Sequence, residues 1–298
     1  MNAVPGPVPA TVSVVGGGRM GAGIAQVFAA AGAGVTIVET DPVAAEAALR
    51  RVGAGLRRAA ERDTLGESAD RVLSRVSTVC AIAELAADSG LVVEAVPEFI
   101  SAKLDVLTAA ERVVAPTAVL ASNTSSLPIT ELAAALQHPA RFIGMHFFNP
   151  VPVSDLVELV RAPETAEEVV HAALGWVGAL GKSHVVVRDS PGFATSRLGV
   201  TLGLEAVRML EDGVADAESI DRAMELGYRH PMGPLRSTDL VGLDVRLAIA
   251  EHLHATLGPR FEPPQLLRDK VAAGDLGRKT GRGFHRWPTV PTSPEEKP

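Results

Sequence analysis

The glycine-rich segment close to the start of the sequence constrains the fold more than any other feature. Gly16, Gly18 and Gly21 form a G-x-G-x-x-G pattern between a β-branched run at 11–15 and an Ala-rich stretch that is typical of a helix. In this pattern the first glycine permits a tight turn, the second lets the backbone approach a pyrophosphate, and the third allows close helix–strand packing. An ordinary flexible turn is the alternative interpretation, but the flanking strand and helix favour a phosphate-binding turn.

The residues around the glycines predict which dinucleotide binds. The backbone N–H groups at the helix start, at Arg19 and Met20, would face the pyrophosphate. Glu39 ends the next predicted strand, near the position about 20 residues on where a carboxylate accepts the hydroxyls of the adenosine ribose. It would repel a 2′-phosphate, and its neighbours Thr40 and Asp41 supply no arginine to bind one. We therefore predict NAD rather than NADP as the cofactor.

Predicted strands and helices alternate as far as Arg188 and predict the fold class. Apolar β-branched runs alternate with amphipathic Ala- and Leu-rich stretches, which indicates a parallel sheet covered by helices. Beyond Arg188 the pattern is helical, with the first helix predicted over 191–211. We expect an α/β fold, with a Rossmann-like, doubly wound, mostly parallel sheet followed by an all-helical C-terminal domain. The predicted segments are a disordered lead-in at 1–10, an NAD-binding domain at 11–189, a helical domain at 190–287 and a loose tail at 288–298.

Composition argues against several classes of protein. A single cysteine, Cys80, cannot form an internal disulfide, so we expect a reducing compartment and predict a cytoplasmic location. With 28 basic and 35 acidic residues the formal net charge is −7, which argues against nucleic acid or an anionic membrane as the main partner. Residues 22–38 carry no charge, but they fall short of the roughly 20 residues of a spanning helix. We predict neither a membrane span nor a metal site.

Two polar segments follow predicted strands, at the ends where open α/β sheets bind their ligands. The first contains Asn123 and Ser125, and the second contains His146 and Asn149. Glu158 follows across a turn marked by prolines. A histidine held by a carboxylate can act as a general base, because the carboxylate fixes the tautomer and stabilises the imidazolium. Turn chemistry and a buried core histidine explain the same residues taken singly, so both interpretations stay open at this point.

Longer segments give the sequence a resemblance to a known family. They include VVGGGRMGAGIAQ, LASNTSSLPIT, RFIGMHFFNPVPVSDLVELV, DSPGFATSRL, HPMGPLRSTDLVGLD and GRKTGRGF, in order from about Val12 to Phe284. Together they resemble the 3-hydroxyacyl-CoA dehydrogenase family, including its 3-hydroxybutyryl-CoA members. The resemblance implies a Rossmann-like N-terminal domain and a helical C-terminal domain that binds substrate and forms much of a homodimer interface.

The resemblance also implies a reaction, the reversible oxidation of a 3-hydroxyacyl thioester to the 3-oxoacyl thioester. His146 matches the family's catalytic histidine, and Glu158 matches the carboxylate paired with it. His146 would remove the hydroxyl proton while hydride leaves C3 for C4 of the nicotinamide. Ser125 matches the serine that hydrogen-bonds the substrate oxygen, where it would stabilise the developing charge.

Further cofactor contacts follow from the same resemblance. Asn149 matches an asparagine near the nicotinamide, and Glu98 and Lys103 match other cofactor contacts. Lys279 matches a lysine in the KTG-containing segment. Asn123, at the end of its predicted strand, is a further predicted cofactor contact.

Two regions depart from the family pattern. Ser196 stands where the family has an asparagine before Arg-Leu, and a serine hydroxyl cannot reproduce the reach of the amide. In the predicted helix at 42–62, Gly55 and Arg62 replace the family's serine and lysine near the CoA phosphate. Arg62, with Arg58 one turn before it, retains the chemistry to bind phosphate, although a solvated helix face explains both arginines equally well.

These departures leave alternatives to a short-chain 3-hydroxyacyl-CoA dehydrogenase. One is a substrate attached to an acyl-carrier protein or bearing a modified acyl group. Another is a free hydroxy acid, and a third is a non-catalytic NAD-binding protein of the same fold. The presence of Ser125, His146 and Glu158 in one sequence argues against the third.

Overall fold

The computed structural model describes residues 6–288, which divide into two compact units between Ser190 and Pro191. Of the lead-in predicted at 1–10, residues 1–5 lie outside the described part of the chain. Within 6–10, the Val8 side chain is partly buried and packs against the core of the first unit, and the extent of the lead-in stays a prediction. Of the tail predicted at 288–298, only Pro288 is described.

An eight-stranded sheet forms the centre of the first unit. Its strands are β1 (Thr11–Val15), β2 (Gly34–Val38), β3 (Val76–Val79), β4 (Leu91–Glu94), β5 (Val119–Ser122), β6 (Phe142–Phe147), β7 (Leu156–Arg161) and β8 (Ser183–Arg188). They lie in the order β3-β2-β1-β4-β5-β6-β7-β8, and every neighbouring pair is parallel except β6 and β7. The predicted Rossmann-like, mostly parallel sheet is therefore confirmed.

Helices connect most of these strands. They are α1 (Arg19–Ala30), α2 (Pro42–Glu61), α3 (Ala69–Leu73), α4 (Ile100–Val113), α5 (Ile129–Ala134) and α6 (Glu167–Ala179). α2 begins at Pro42, which has no N–H to leave unbonded, and the Asp41 carboxylate accepts from the N–H groups of Val43 and Ala44. α1 packs on the sheet through apolar side chains such as Phe28, which is fully buried. Asp41 and Pro42 thus begin α2 where the sequence predicts a helix, over 42–62.

The order of the strands creates a ligand site at one edge of the sheet. β1 and β4 are neighbours, although β2 and β3 separate them in the sequence. At such a reversal the loops that follow the two strands diverge and leave a crevice. Gly16 follows β1 directly, and the turn that contains Glu98 follows β4. The glycine turn therefore lies at the opening of this crevice.

The second unit is helical, as predicted. Its helices are α7 (Thr195–Glu211), α8 (Ala217–Gly227), α9 (Pro234–Val241), α10 (Leu243–Leu257) and α11 (Gln265–Ala272), and Leu235 and Leu253 are fully buried in its core. α7 begins four residues later than the predicted helix at 191–211. Gly192 and Phe193 have φ values of +72° and +51°, which a right-handed helix cannot contain.

The length of the helices bears on membrane binding, and the grouping of the ligating side chains bears on metal binding. Across residues 6–288, none of the helices combines the length and the apolar character that crossing a bilayer requires. Within the same range, the His, Cys, Asp and Glu side chains form no group of three or more arranged to hold a metal ion. Cys80 is exposed and present as a free thiol.

Candidate active site

The glycine turn after β1 has the geometry that a pyrophosphate needs. Gly16 has a φ of +93°, and its N–H donates to Val38 O at 2.9 Å, which ties the turn to β2. A Cβ on Gly21 would lie 1.7 Å from Gly16 O, so only glycine lets α1 approach the turn this closely. A Cβ on Gly18 would meet no atom within 4 Å, so this side of the turn is open. Gly18 is also the N-cap of α1, and the N–H groups of the first helical turn point into the same space.

Glu39 and Arg51 both hydrogen-bond to the backbone of Gly17, which lies between Gly16 and Gly18. Glu39 follows β2, and its Oε1 accepts from Gly17 N at 2.6 Å. Each carboxylate oxygen can accept a second hydrogen bond, which suits the ribose hydroxyls of NAD. Arg51 on α2 donates from Nη1 to Gly17 O at 3.2 Å, a contact that no spacing in the sequence predicts. Arg19 and Met20 begin α1 beside this turn, as expected.

His146 and Glu158 face each other on β6 and β7. The antiparallel register pairs them directly, and His146 Nδ1 lies 3.0 Å from Glu158 Oε2. Glu158 is fully buried and His146 is only 7% exposed, so solvent screens their interaction weakly. Phe148 lies against the imidazole, with a ring-centroid distance of 4.3 Å. With Glu158 ionised, Nδ1 carries the proton that the carboxylate accepts, and Nε2 is the nitrogen that can take up another proton.

The loop after β5 lies next to this pair. Asn123 Oδ1 accepts from Phe147 N at 2.9 Å, which holds the loop against the end of β6. Ser125 N donates to Glu98 Oε1 at 2.9 Å, which ties the loop to the turn after β4. The Asn123 oxygen is used inside the protein, so its amide NH₂ is the group that could serve a cofactor. The structure thus brings the Ser125 loop to the strand that carries His146.

Lys103 is buried and paired with two carboxylates. Its side chain is 1% exposed, and Nζ lies 2.7 Å from Glu94 Oε1 and 3.2 Å from Glu98 Oε2. Nζ also donates to Val96 O at 3.2 Å, so all three donors of the ammonium are used. The contact of Lys103 with the cofactor that the resemblance implies stays a prediction. The Glu98 side chain is 37% exposed and stays accessible.

Arg58 and Arg62 lie exposed at the end of α2. Residues four apart share one face of a helix, so the two guanidinium groups can approach one phosphate together. Packing explains why a glycine, Gly55, stands earlier on this helix in place of the family's serine. A Cβ there would lie 2.1 Å from the side-chain oxygen of Gln26, which occupies the space of a larger residue.

The other predicted site residues lie on a loop and in the second unit. Asn149 is exposed in the segment between β6 and β7. In the second unit, Ser196 is half-buried in the first turn of α7. Lys279, in the same unit, forms an ion pair with Asp244, with Nζ–Oδ distances of 2.6 and 2.7 Å.

Family models match both units of the chain. The model described as 3-hydroxyacyl-CoA dehydrogenase, NAD binding domain, matches residues 11–190. The model described as 3-hydroxyacyl-CoA dehydrogenase, C-terminal domain, matches residues 192–287. The two matches cover the sheet unit and the helical unit respectively.

Individual proteins agree with the family models. The chain is 44% identical over 276 residues to the probable 3-hydroxybutyryl-CoA dehydrogenase of Bacillus subtilis, covering 92% of this chain and 96% of that protein. It is 40% identical over 286 residues to the mitochondrial hydroxyacyl-coenzyme A dehydrogenase of Homo sapiens, covering 93% and 90%. The crystal structure of (S)-3-hydroxybutyryl-CoA dehydrogenase from Ralstonia eutropha matches with a TM-score of 0.88 and 40% identity, covering 94% of this chain and 99% of that chain. The chain therefore belongs to the 3-hydroxyacyl-CoA dehydrogenase family of NAD-dependent oxidoreductases.

Proposed function

We propose that this protein oxidises a short-chain 3-hydroxyacyl-CoA reversibly to the 3-oxoacyl-CoA, with NAD as the hydride acceptor. The buried His146–Glu158 pair carries the proposal, because it places a carboxylate-supported base next to the Ser125 loop. The relatives from Bacillus subtilis and Ralstonia eutropha are named for 3-hydroxybutyryl-CoA, which supports a four-carbon acyl group.

His146 is the general base of the proposed reaction. Its Nε2 accepts the proton of the substrate hydroxyl while the C3–H bond breaks. Bound NAD would take up the hydride at C4 of its nicotinamide. Glu158 keeps the proton on Nδ1 and stabilises the imidazolium that forms, and in the reverse direction His146 returns the proton to the oxygen.

Two serines are the proposed polar contacts of the substrate. The Ser125 hydroxyl donates to the substrate oxygen, where negative charge grows as the proton leaves. Ser196 supplies a second hydroxyl in place of the family's asparagine. Because this hydroxyl is shorter than an amide, we propose that it takes over the asparagine's contact only in part.

The proposed cofactor site comprises the glycine turn and the strand ends around it. It contains Gly16, Gly18, Arg19, Met20, Gly21, Glu39, Asn123 and Asn149, and the contacts of Glu98, Lys103 and Lys279 that the resemblance implies stay predictions. Arg58 and Arg62 are the proposed contacts of a CoA phosphate, because both are exposed cations on adjacent turns of α2.

We also propose that the protein is a homodimer. The second unit exposes large apolar side chains, among them Leu226 at 71% and Tyr228 at 75%. Leu198 on α7 is 70% exposed, and Val245 on α10 is 41% exposed. Such a set favours burial against a second copy of the chain. Light scattering coupled to gel filtration should give twice the mass of the chain, and a monomer at micromolar concentration would contradict the proposal. A cytoplasmic location, suggested by the single Cys80, stays a prediction.

A substrate panel tests the activity. The same short 3-hydroxyacyl group is offered as CoA thioester, as acyl-carrier-protein thioester and as free acid, with NAD and NADP in parallel, and NADH or NADPH absorbance is followed. We expect turnover with the CoA thioester and NAD. A protein that binds NAD but is inert with CoA thioesters of four to ten carbons would overturn the proposal, and preference for the carrier-linked substrate would reassign the carrier.

A further inference from the structure

The Glu98 carboxylate organises the loop that carries Ser125. Its Oε1 accepts from Ser125 N at 2.9 Å and from Ser125 Oγ at 3.3 Å. Thr124 Oγ1 donates to the same oxygen at 2.5 Å, and Ser126 Oγ donates to it at 3.4 Å. Three consecutive residues of the loop thus depend on one carboxylate oxygen. The backbone of Ser125 is fixed by it, and the longer contact of the Ser125 hydroxyl is the one that a substrate oxygen would replace, because a hydroxyl has a single proton to donate.

The other oxygen of Glu98 is anchored beneath the loop. Lys103 Nζ lies 3.2 Å from Glu98 Oε2 and 2.7 Å from Glu94 Oε1. Glu94 is fully buried, and its second oxygen accepts from Ser122 Oγ at 2.5 Å. Ser122 is the last residue of β5, so this network joins the ends of β4 and β5. Lys103 therefore holds one oxygen of Glu98, and the other oxygen of Glu98 holds the Ser125 loop.

The charge of Glu98 suits this arrangement. Burial alone would raise the pKa of the Glu98 carboxyl, but the Lys103 ammonium and the hydrogen bonds from Thr124 and Ser125 outweigh burial and hold it below its usual value. The carboxyl is therefore ionised at neutral pH, and its Oε1 accepts from Thr124 Oγ1 and Ser125 N, the two short contacts of the loop. A protonated or amide side chain would bring a donor of its own and would accept fewer of these bonds.

We propose that Glu98 is a positioning residue, which acts on the reaction by holding the backbone of Ser125 and so placing its hydroxyl for the substrate oxygen, with Lys103 as its buried anchor. The inference rests on the proposed function, because it assumes that Ser125 polarises the substrate oxygen. It differs from the role that the resemblance implies, a direct contact of Glu98 with the cofactor. The two roles predict effects on different kinetic constants when the charge of Glu98 is removed.

The first test is Glu98→Gln, measured for kcat, for KM of NAD and for NAD dissociation by calorimetry. A misplaced catalytic group costs about 100-fold per ångström, so we expect kcat to fall about 10- to 100-fold. The NAD dissociation constant should change less than about twofold, since positioning acts on the chemical step. A large rise in the NAD dissociation constant with unchanged kcat would overturn the proposal in favour of a direct cofactor contact.

Glu111→Gln, on α4, is the matched control. Glu111 also accepts loop N–H groups, from Gln137 and His138, at 2.7 and 3.0 Å. It also pairs with a buried cation, with 3.4 Å between its Oε1 and Arg141 Nη2. This control should lower thermal stability and leave kcat unchanged. An equal loss of kcat in both variants would mean that Glu98 has only a structural role.

A double-mutant cycle with Ser125→Ala decides whether Glu98 acts through Ser125. Residues that work through one another give non-additive effects. In the Ser125→Ala background we therefore expect Glu98→Gln to lower kcat less than about threefold. The same fold-loss in both backgrounds would overturn the proposal. Absence of turnover in the unmutated protein would refute the proposed function instead, so the two failures are distinguishable.

Discussion

Replacing Glu158 by glutamine tests the general-base pair most directly. The substitution keeps the shape of the side chain and removes its charge. The side chain is fully buried and lies on β7, opposite His146 on β6. Glutamine can still accept from His146 Nδ1 through its side-chain oxygen, so the histidine keeps its orientation. The loss of activity then measures the charge alone.

The structure sets the size of the expected loss. His146 Nδ1 and Glu158 Oε2 are 3.0 Å apart. With charge centres about 4 Å apart and an effective dielectric constant of about 20, an imidazolium and a carboxylate attract by about 4 kcal/mol. This attraction arises only as His146 takes up the proton, so its loss raises the barrier to the reaction. Since about 1.4 kcal/mol is a factor of ten, kcat should fall about 10³-fold.

The assay compares the unmutated protein, Glu158→Gln and a control, Glu167→Gln. Glu167 forms an ion pair with Arg161 but is 60% exposed, and exposed pairs contribute at most about 1 kcal/mol, so its loss should leave kcat unchanged. NADH formation gives kcat, calorimetry gives the NAD dissociation constant, and thermal denaturation shows whether each variant is folded. A folded Glu158→Gln variant with kcat within tenfold of the unmutated protein would refute the reasoning, because the carboxylate would then not stabilise the imidazolium.

Four further substitutions have distinct expected outcomes. His146→Ala should leave NAD binding nearly intact and lower turnover by more than about 10⁴-fold, above the usual value of acid–base catalysis, and turnover within tenfold would exclude His146 as the base. Gly21→Ala should lower thermal stability and NAD affinity together, because its Cβ would lie 1.7 Å from Gly16 O. Gly18→Ala should fold normally and lose NAD affinity alone, so equal melting curves for the two variants would contradict the role of Gly21 in packing. Ser196→Asn should raise kcat/KM for simple 3-hydroxyacyl-CoA by up to about tenfold, the value of one hydrogen bond, whereas no change would show that the pocket has adapted to serine.

The sequence predicts the elements whose signals are local. β1 has the bounds of the β-branched run at 11–15 that predicts it, because such a short run needs no distant partner to be recognised. The sequence does not predict β7, since Glu158 interrupts its apolar run and prolines precede it. Pairing with β6 is what makes this segment a strand. Its register also turns the 12-residue separation of His146 and Glu158 into a direct contact.

The roles of several polar side chains depend on tertiary contacts that no local pattern contains. Lys103 matches a cofactor contact by its motif, yet the fold places it under the site between two carboxylates. Arg51 has no motif, and its contact with Gly17 O becomes visible only when α2 packs beside the glycine turn. The motif therefore predicts which residues gather at the crevice, and the packing decides which of them can reach a ligand.

His146 and Glu158 pair across β6 and β7, so their contact does not depend on the shape of the loop that joins the two strands. The distance between the two side chains is set by the spacing of neighbouring strands and not by the number of residues that join them. Lys182 fixes the base of that loop by donating to Val151 O at 2.7 Å and Ser154 O at 2.5 Å, while Val153 between them is 58% exposed. Insertions at Val153 should therefore change the shape of this loop without altering the contact between His146 and Glu158.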